Sequence, residues 1–183
     1  MHAGLAICQP RSGLSNAVWL MRDDVARACA EVDEAMQRWT FQGYHVQHWY
    51  ELIARTQIDL YTGDGEAAWA RVEDQWRSLE RSNLLRLQHT RIVALHLRAR
   101  AALAAAMDQS GTARDQRLRV ASACARRLVG QGDGWNRALA AMVQAGFAAV
   151  TGQREQAAAA LVQATQLAEQ HGLASSRRRR HHH

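Results

Sequence analysis

Few residues in this chain have the types and spacing that chemistry requires. His45 and His48 are three apart and Glu51 follows three later, so on a helix all three share one face and could hold a metal ion. A dedicated site needs a third or fourth ligand, whose position the sequence does not identify, so polar surface or cap contacts are the expected role and no metal is assigned. Asp59, Glu66, Glu73 and Asp74 are carboxylates close in sequence, as acid–base catalysis would need. They interleave with Arg55, Arg71 and Arg77 at helical spacings, which favours solvated ion pairs. Gly130-Gln131-Gly132-Asp133-Gly134 is glycine-rich, but it follows a helical pattern and lacks the lysine of a phosphate loop. No serine stands in a G-x-S-x-G context. No enzymatic activity and no cofactor are therefore expected.

The elements that must carry these residues are helices. Trp49, Leu52, Ile53, Thr56 and Leu60 fall on one helical face, and Trp69, Val72, Trp76 and Leu79 fall on another. Between them lies Thr62-Gly63-Asp64-Gly65, where Gly63 can take the left-handed conformation that ends a helix and Asp64 can cap the next. The same chemistry returns at Thr151-Gly152, followed by Ala157, Leu161, Ala164 and Ala168. The helix before it is marked by Trp135, Leu139, Met142, Gly146 and Val150.

Composition agrees with an all-α chain. Hydrophobic residues make up 48% of the 183 residues, and Pro10 is the single proline. Alternating β-branched runs are missing. The net charge of +6 is concentrated at one end. Arg177 to Arg180 account for four of 23 basic residues, leaving 19 against 17 acidic ones, a net of +2. With His181 to His183 they resemble an affinity tag, so 173–183 is expected to be a disordered tail, 15–172 the helical domain, and 1–14 a loop or loosely attached segment. Cys8, Cys29 and Cys124 are far apart, odd in number and form no C-x-x-C pair, so neither a structural zinc site nor a disulfide framework is indicated. With no signal pattern and no long apolar run, a cytoplasmic protein with no membrane partner is expected.

Further stripes complete the chain. A first helix is expected over about Ser15 to Met21, then Asp23 as N-cap of a helix carrying Val25, Ala28, Cys29, Val32, Met36 and Trp39. Ser82-Asn83 leads into a long helix from Leu84 to about Met107, and another runs from about Ala113 to Val129. That last helix bears Arg114, Arg117, Arg119, Arg126 and Arg127, the densest basic face in the body. Asp108 and Asp115 dilute it and no aromatic residues interleave, so a solvated helix face is expected and not a nucleic-acid partner. His89 and His96 share a face of the long helix, and one of them is expected to pack between helices. The corners recur every forty-odd residues, which predicts about four helix–turn–helix hairpins, or about eight helices.

Gly63-Asp64-x-x-x-Ala68 with Val72, and Gly152-x-x-x-x-Ala157 with Leu161 and Ala164, resemble the second half of the tetratricopeptide repeat. The period here is longer than the ~34 residues of that family. The resemblance implies a TPR-like α-solenoid with lengthened repeats. A narrower resemblance is carried by Asp59-Leu60-Tyr61-x-Gly63-Asp64-x-Glu66-Ala67-Ala68-Trp69 and by Ala94-Leu95-His96-Leu97-Arg98-Ala99-Arg100-Ala101. Those stretches look like the C-terminal helical region of large bacterial signalling proteins that join a serine/threonine kinase or an ATPase to TPR-like repeats. It implies a non-catalytic scaffold that binds a protein or peptide partner, the recognition region of a larger protein. The alternative is a domain in which a tryptophan-lined pocket senses a small effector and regulates an attached kinase or ATPase. The repeat's geometry would place Tyr50, Gln57 and Tyr61 on a concave groove, with Arg91 and Arg98 contributed by the next hairpin. The sequence leaves the oligomeric state open.

Overall fold

A computed structural model of the protein describes residues 13–37, 44–132 and 134–180, with side chains up to His171. Among the described residues there is no strand. The helices are α1 (Ala17–Leu20), entered through a 3-10 turn over Gly13–Asn16, α2 (Val25–Gln37), α3 (Val46–Tyr61), α4 (Gly65–Arg81), α5 (Gln88–Met107), α6 (Gly111–Val129), α7 (Trp135–Val150) and α8 (Arg154–Arg180). They fall into two compact units, Met1–Thr90 and Arg91–His183. The expected segment 1–14 lies almost wholly outside the described residues, as do Trp39, the loop Thr40 to Gly43, and His181 to His183. α8 continues to Arg180, past the boundary at 172/173 read from the sequence.

In the first unit α3 packs on α1, α2 and α4. Ala28, Val32 and Ala35 from α2, Leu52, Ile53 and Thr56 from α3, and Ala68, Val72 and Leu79 from α4 are buried as their spacing requires. Two ion pairs stitch these helices. Arg71 Nε donates to Asp59 Oδ2 at 2.7 Å across α3 and α4. Arg55 donates to Asp33 of α2 and to Glu51 of its own helix, each at 2.8 Å. Burial lowers the Arg55 pKa, but the bonds to Glu51 and Asp33 outweigh it and the net displacement is upward.

Three corners share one backbone solution. At Gly63 and Gly152 φ is +83° and +79°, and the residue after each sends its N–H back to the carbonyl five positions earlier, Asp64 to Asp59 at 2.9 Å and Gln153 to Ala148 at 2.8 Å. That is the six-to-one closure of a Schellman helix end. Thr62 and Thr151 each turn a hydroxyl back onto the carbonyl four residues before, at 3.1 and 2.9 Å.

The third instance corrects the expectation for Asp23. Asp23 has φ +58° and occupies the left-handed position itself, while Asp24 N–H closes on Trp19 at 2.9 Å. The cap of α2 is Asp24, whose Oδ1 accepts from Arg27 N at 2.8 Å. Both aspartates are competent caps, and the preceding helix end decides between them. Five residues beyond each left-handed position stands an alanine, Ala28, Ala68 and Ala157, all buried, which lets paired helices approach closely.

Other boundaries shift for local reasons. Leu84 and Leu85 lie in a 3-10 turn over Asn83–Arg86, because the Ser82 hydroxyl accepts from Leu84 N at 3.3 Å and holds the chain off the helix axis. α5 therefore starts at Gln88. α6 begins at Gly111, whose φ of +59° makes this corner unlike the other three.

In the second unit α7 packs on α6 and on α8. The seam of α7 is built from Ala138, Ala141, Ala145 and Ala148, so Trp135 and Met142, read from the sequence as its apolar stripe, stay exposed at 41% and 49%. On α8, Ala157 and Ala164 are buried and Leu161 is exposed. α5 is buried around most of its circumference, from Ile92 to Ala106, as two-sided apolar spacing predicts.

A glutamine-rimmed trough on the second unit

α6 and α8 both pack on α7 and make no comparable contact with each other among the described residues, which leaves a trough with α7 as its floor. Its volume is about 490 Å³. Val143, Phe147 and Ala148 of α7 line the bottom, and Ala125 of α6 with Ala159 and Ala160 of α8 line the sides. Small side chains dominate the walls, so the trough exists because the alanines that close the seams leave the flanks unfilled.

The rim is uncharged except at one point. Gln144 of α7, Gln153 in the turn before α8, and Gln156 and Gln163 of α8 surround the opening with carboxamides. Each carboxamide carries both a donor and an acceptor. On the opposite wall Arg126 Nη1 donates to Ser122 Oγ at 3.0 Å, which lays the guanidinium along the edge. No carboxylate partners Arg126 among the described residues, and none lines the trough. The site is therefore an apolar floor, an amide rim and one held cation.

Polar bonds fix the helices that form it. Asn136, 2% exposed, donates from Nδ2 to the carbonyls of Leu128 at 2.8 Å and Gly132 at 3.0 Å, pinning the connection between α6 and α7. Gln131 donates to Arg127 O at 3.1 Å and accepts from Arg91 Nε, which ties α5 to the same connection. The glycine-rich stretch is thus occupied by structural bonds. Arg114 Nη2 donates to Val150 O at 2.7 Å, so part of the basic face of α6 caps the last carbonyls of α7.

The residues expected on a groove divide between the units. Tyr50, Gln57 and Tyr61 share α3 in the first. Tyr50 lies against the backbone of Gly13, where a built Cβ would stand 3.0 Å from its ring, and Gln57 is half-buried. Tyr61 is exposed and donates its hydroxyl to Asp23 Oδ1 at 2.7 Å, a bond that raises its pKa. Arg91 and Arg98 lie in the second unit, Arg91 on Gln131 and Arg98 half-buried on α5.

The histidine candidates make local hydrogen-bond and packing contacts. His48 Nδ1 accepts from His45 N–H at 3.1 Å in the cap of α3, and Tyr44 stacks on His48 with centroids 5.6 Å apart. Burial, and then the charge of Glu51, push the Tyr44 hydroxyl pKa up. No cluster of three metal-binding side chains occurs among the described residues. His96 is the histidine that packs inside: burial first, then Arg100 one turn on, pull its pKa down to about 4. Burial also lowers the pKa of Arg100.

Sequence reasoning missed the trough. Gln144, Phe147, Gln156 and Gln163 carry no periodic signal of their own. The available clue was amide residues flanking the buried Ala157 and Ala164 on one side of α8. No helix among the described residues is long and apolar enough to cross a membrane. Comparison with protein-family models, with curated proteins and with solved structures gave no match.

Proposed function

We propose that the chain is a non-catalytic protein-interaction module that holds an extended, acidic peptide segment in the trough on its second unit. The observation that carries this reading is the pairing of an apolar floor with carboxamides and, at its edge, Arg126, which no carboxylate among the described residues pairs. An extended peptide leaves its backbone N–H and C=O groups unpaired, and carboxamides satisfy both kinds. A helical ligand has already paired its own. From Gln153 to Gln163 the rim spans about 15 Å at 1.5 Å per residue, the length of four to five extended residues. Arg126, with guanidinium donors beyond the one given to Ser122, offers a charge-assisted contact to an acidic side chain.

Stacking of the hairpins as a TPR-like solenoid, and membership of a larger bacterial signalling protein, belong to the same proposal and rest on the corner motifs quoted above. The small-effector reading gains less support, because the trough is open along its glutamine rim and no tryptophan lines it.

Selection from a random dodecapeptide display library, followed by calorimetry on the enriched peptides, tests the reading. Enriched sequences are expected to carry an apolar residue beside Asp or Glu. Arg126→Glu should weaken them at least tenfold and Gln156→Ala several-fold. No enrichment, or affinities unchanged in both variants, refutes it.

A further inference from the structure

The first and last hairpins can be aligned on their left-handed corner residues, Asp23 and Gly152. In that register Gly13, Leu20, Cys29 and Val32 correspond to Met142, Ala149, Ala158 and Leu161. The first set is covered: Gly13, Leu20 and Val32 are buried and Cys29 is half-buried. What covers it is α3, which packs on both α1 and α2. Ile58 of α3 joins Leu20 and Ala28 in one cluster with Cys29 against it, and the Tyr50 ring closes on Gly13. The second set is open to solvent at all four positions, with Met142 at 49% and Leu161 at 55%. On α7 and α8 these positions lie on the flank opposite the trough residues Gln144, Gln156 and Gln163.

We infer that this outer face of α7 and α8 is the seat of an amphipathic helix supplied by a partner protein, lying there as α3 lies on the first hairpin. The chain itself shows what such a face takes, since the corresponding surface is filled by a helix carrying Tyr50 and Ile58 eight residues apart. One difference defines the partner further. α3 anchors itself through Arg55 on Asp33, and the position matching Asp33 is Val162, 58% exposed. The docking helix therefore has an apolar side chain where α3 has Arg55. This surface is separate from the trough, and either can stand without the other.

Synthetic peptides of residues 44–62, one with the native sequence and one carrying Arg55→Leu, are the probes. Each is titrated into the full isotope-labelled chain by NMR. The Arg55→Leu peptide is expected to shift the resonances of Met142, Ala158, Leu161 and Val162 and to bind at least fivefold tighter than the native peptide. Leu161→Asp, a change at an exposed position, should abolish the shifts while leaving the circular dichroism intact, and Met142→Asp should do the same. No shift at 1 mM peptide, or equal shifts in Leu161→Asp, overturns the inference. So does a wild-type dimer in sedimentation that Leu161→Asp converts to monomer, because the seat would then belong to a second copy of the chain.

Discussion

The corner at Gly63 and the corner at Gly152 have the same backbone and different fates. Both end a helix in the left-handed region, both close by the same main-chain bonds, and both place a buried alanine five residues on. Nine residues on they part: Val72 is 1% exposed and Leu161 is 55% exposed. Local sequence thus sets the turn, while burial of the next apolar residue depends on whether another element lies over it. The lesson is that a repeated motif specifies a hairpin, and its neighbours specify which of its faces is core.

Acid should separate the units most strongly. His96, in the second unit, has a folded pKa near 4, below its ordinary 6.5. The folded state therefore excludes a proton that the unfolded state accepts. Stability from this group is complete above pH 6.5 and is lost as pH falls toward 4, a change on the order of 3 kcal/mol. Urea midpoints measured from pH 7 to pH 4 should fall more steeply in wild type than in His96→Gln; parallel curves would remove His96 as the cause.

Truncating the matched apolar positions comes next. Val32→Ala should cost roughly 2 kcal/mol, from lost burial and the cavity left behind. Leu161→Ala, at the equivalent position of the last hairpin, should stay within about 0.5 kcal/mol. Equal costs in chemical denaturation would break the comparison, since they would mean that Leu161 is covered in solution.

The caps give smaller effects of opposite sign. Asp64 Oδ1 accepts from Ala67 N at 2.9 Å, and Gln153 holds the matching place in the second corner. Asp64→Ala should lose about 1 kcal/mol, whereas Gln153→Asp should gain a few tenths to about 1 kcal/mol, both read as shifts in thermal midpoint. A loss on Gln153→Asp would show that the two corners are not interchangeable.

Much of this fold was legible because it rests on local chemistry. Thr62-Gly63-Asp64 and Thr151-Gly152 announce their turns, and the stripes of α3 and α4 announce their buried faces. Asp23 was misread because an aspartate in the left-handed region looks, in sequence, like a cap. The start of α5 was misplaced because Leu84 and Leu85 have helical spacing, and only the Ser82 hydroxyl reveals the 3-10 turn. On α7 the larger side chains Trp135 and Met142 suggested the core face, while alanines hold the seam. The trough was illegible for a different reason. Its residues come from three helices, and a glutamine beside a groove has the same spacing as a glutamine facing water.

The three matching corners are closed by peptide groups, with side chains added afterwards: a threonine hydroxyl at two, an aspartate cap at two, a tyrosine–aspartate bond at one. A turn secured by the main chain can be copied within a gene and then drift at nearly every position without reopening. Such a corner keeps its shape while most of its side chains change, and what the three share is the left-handed residue and the small one five positions beyond it.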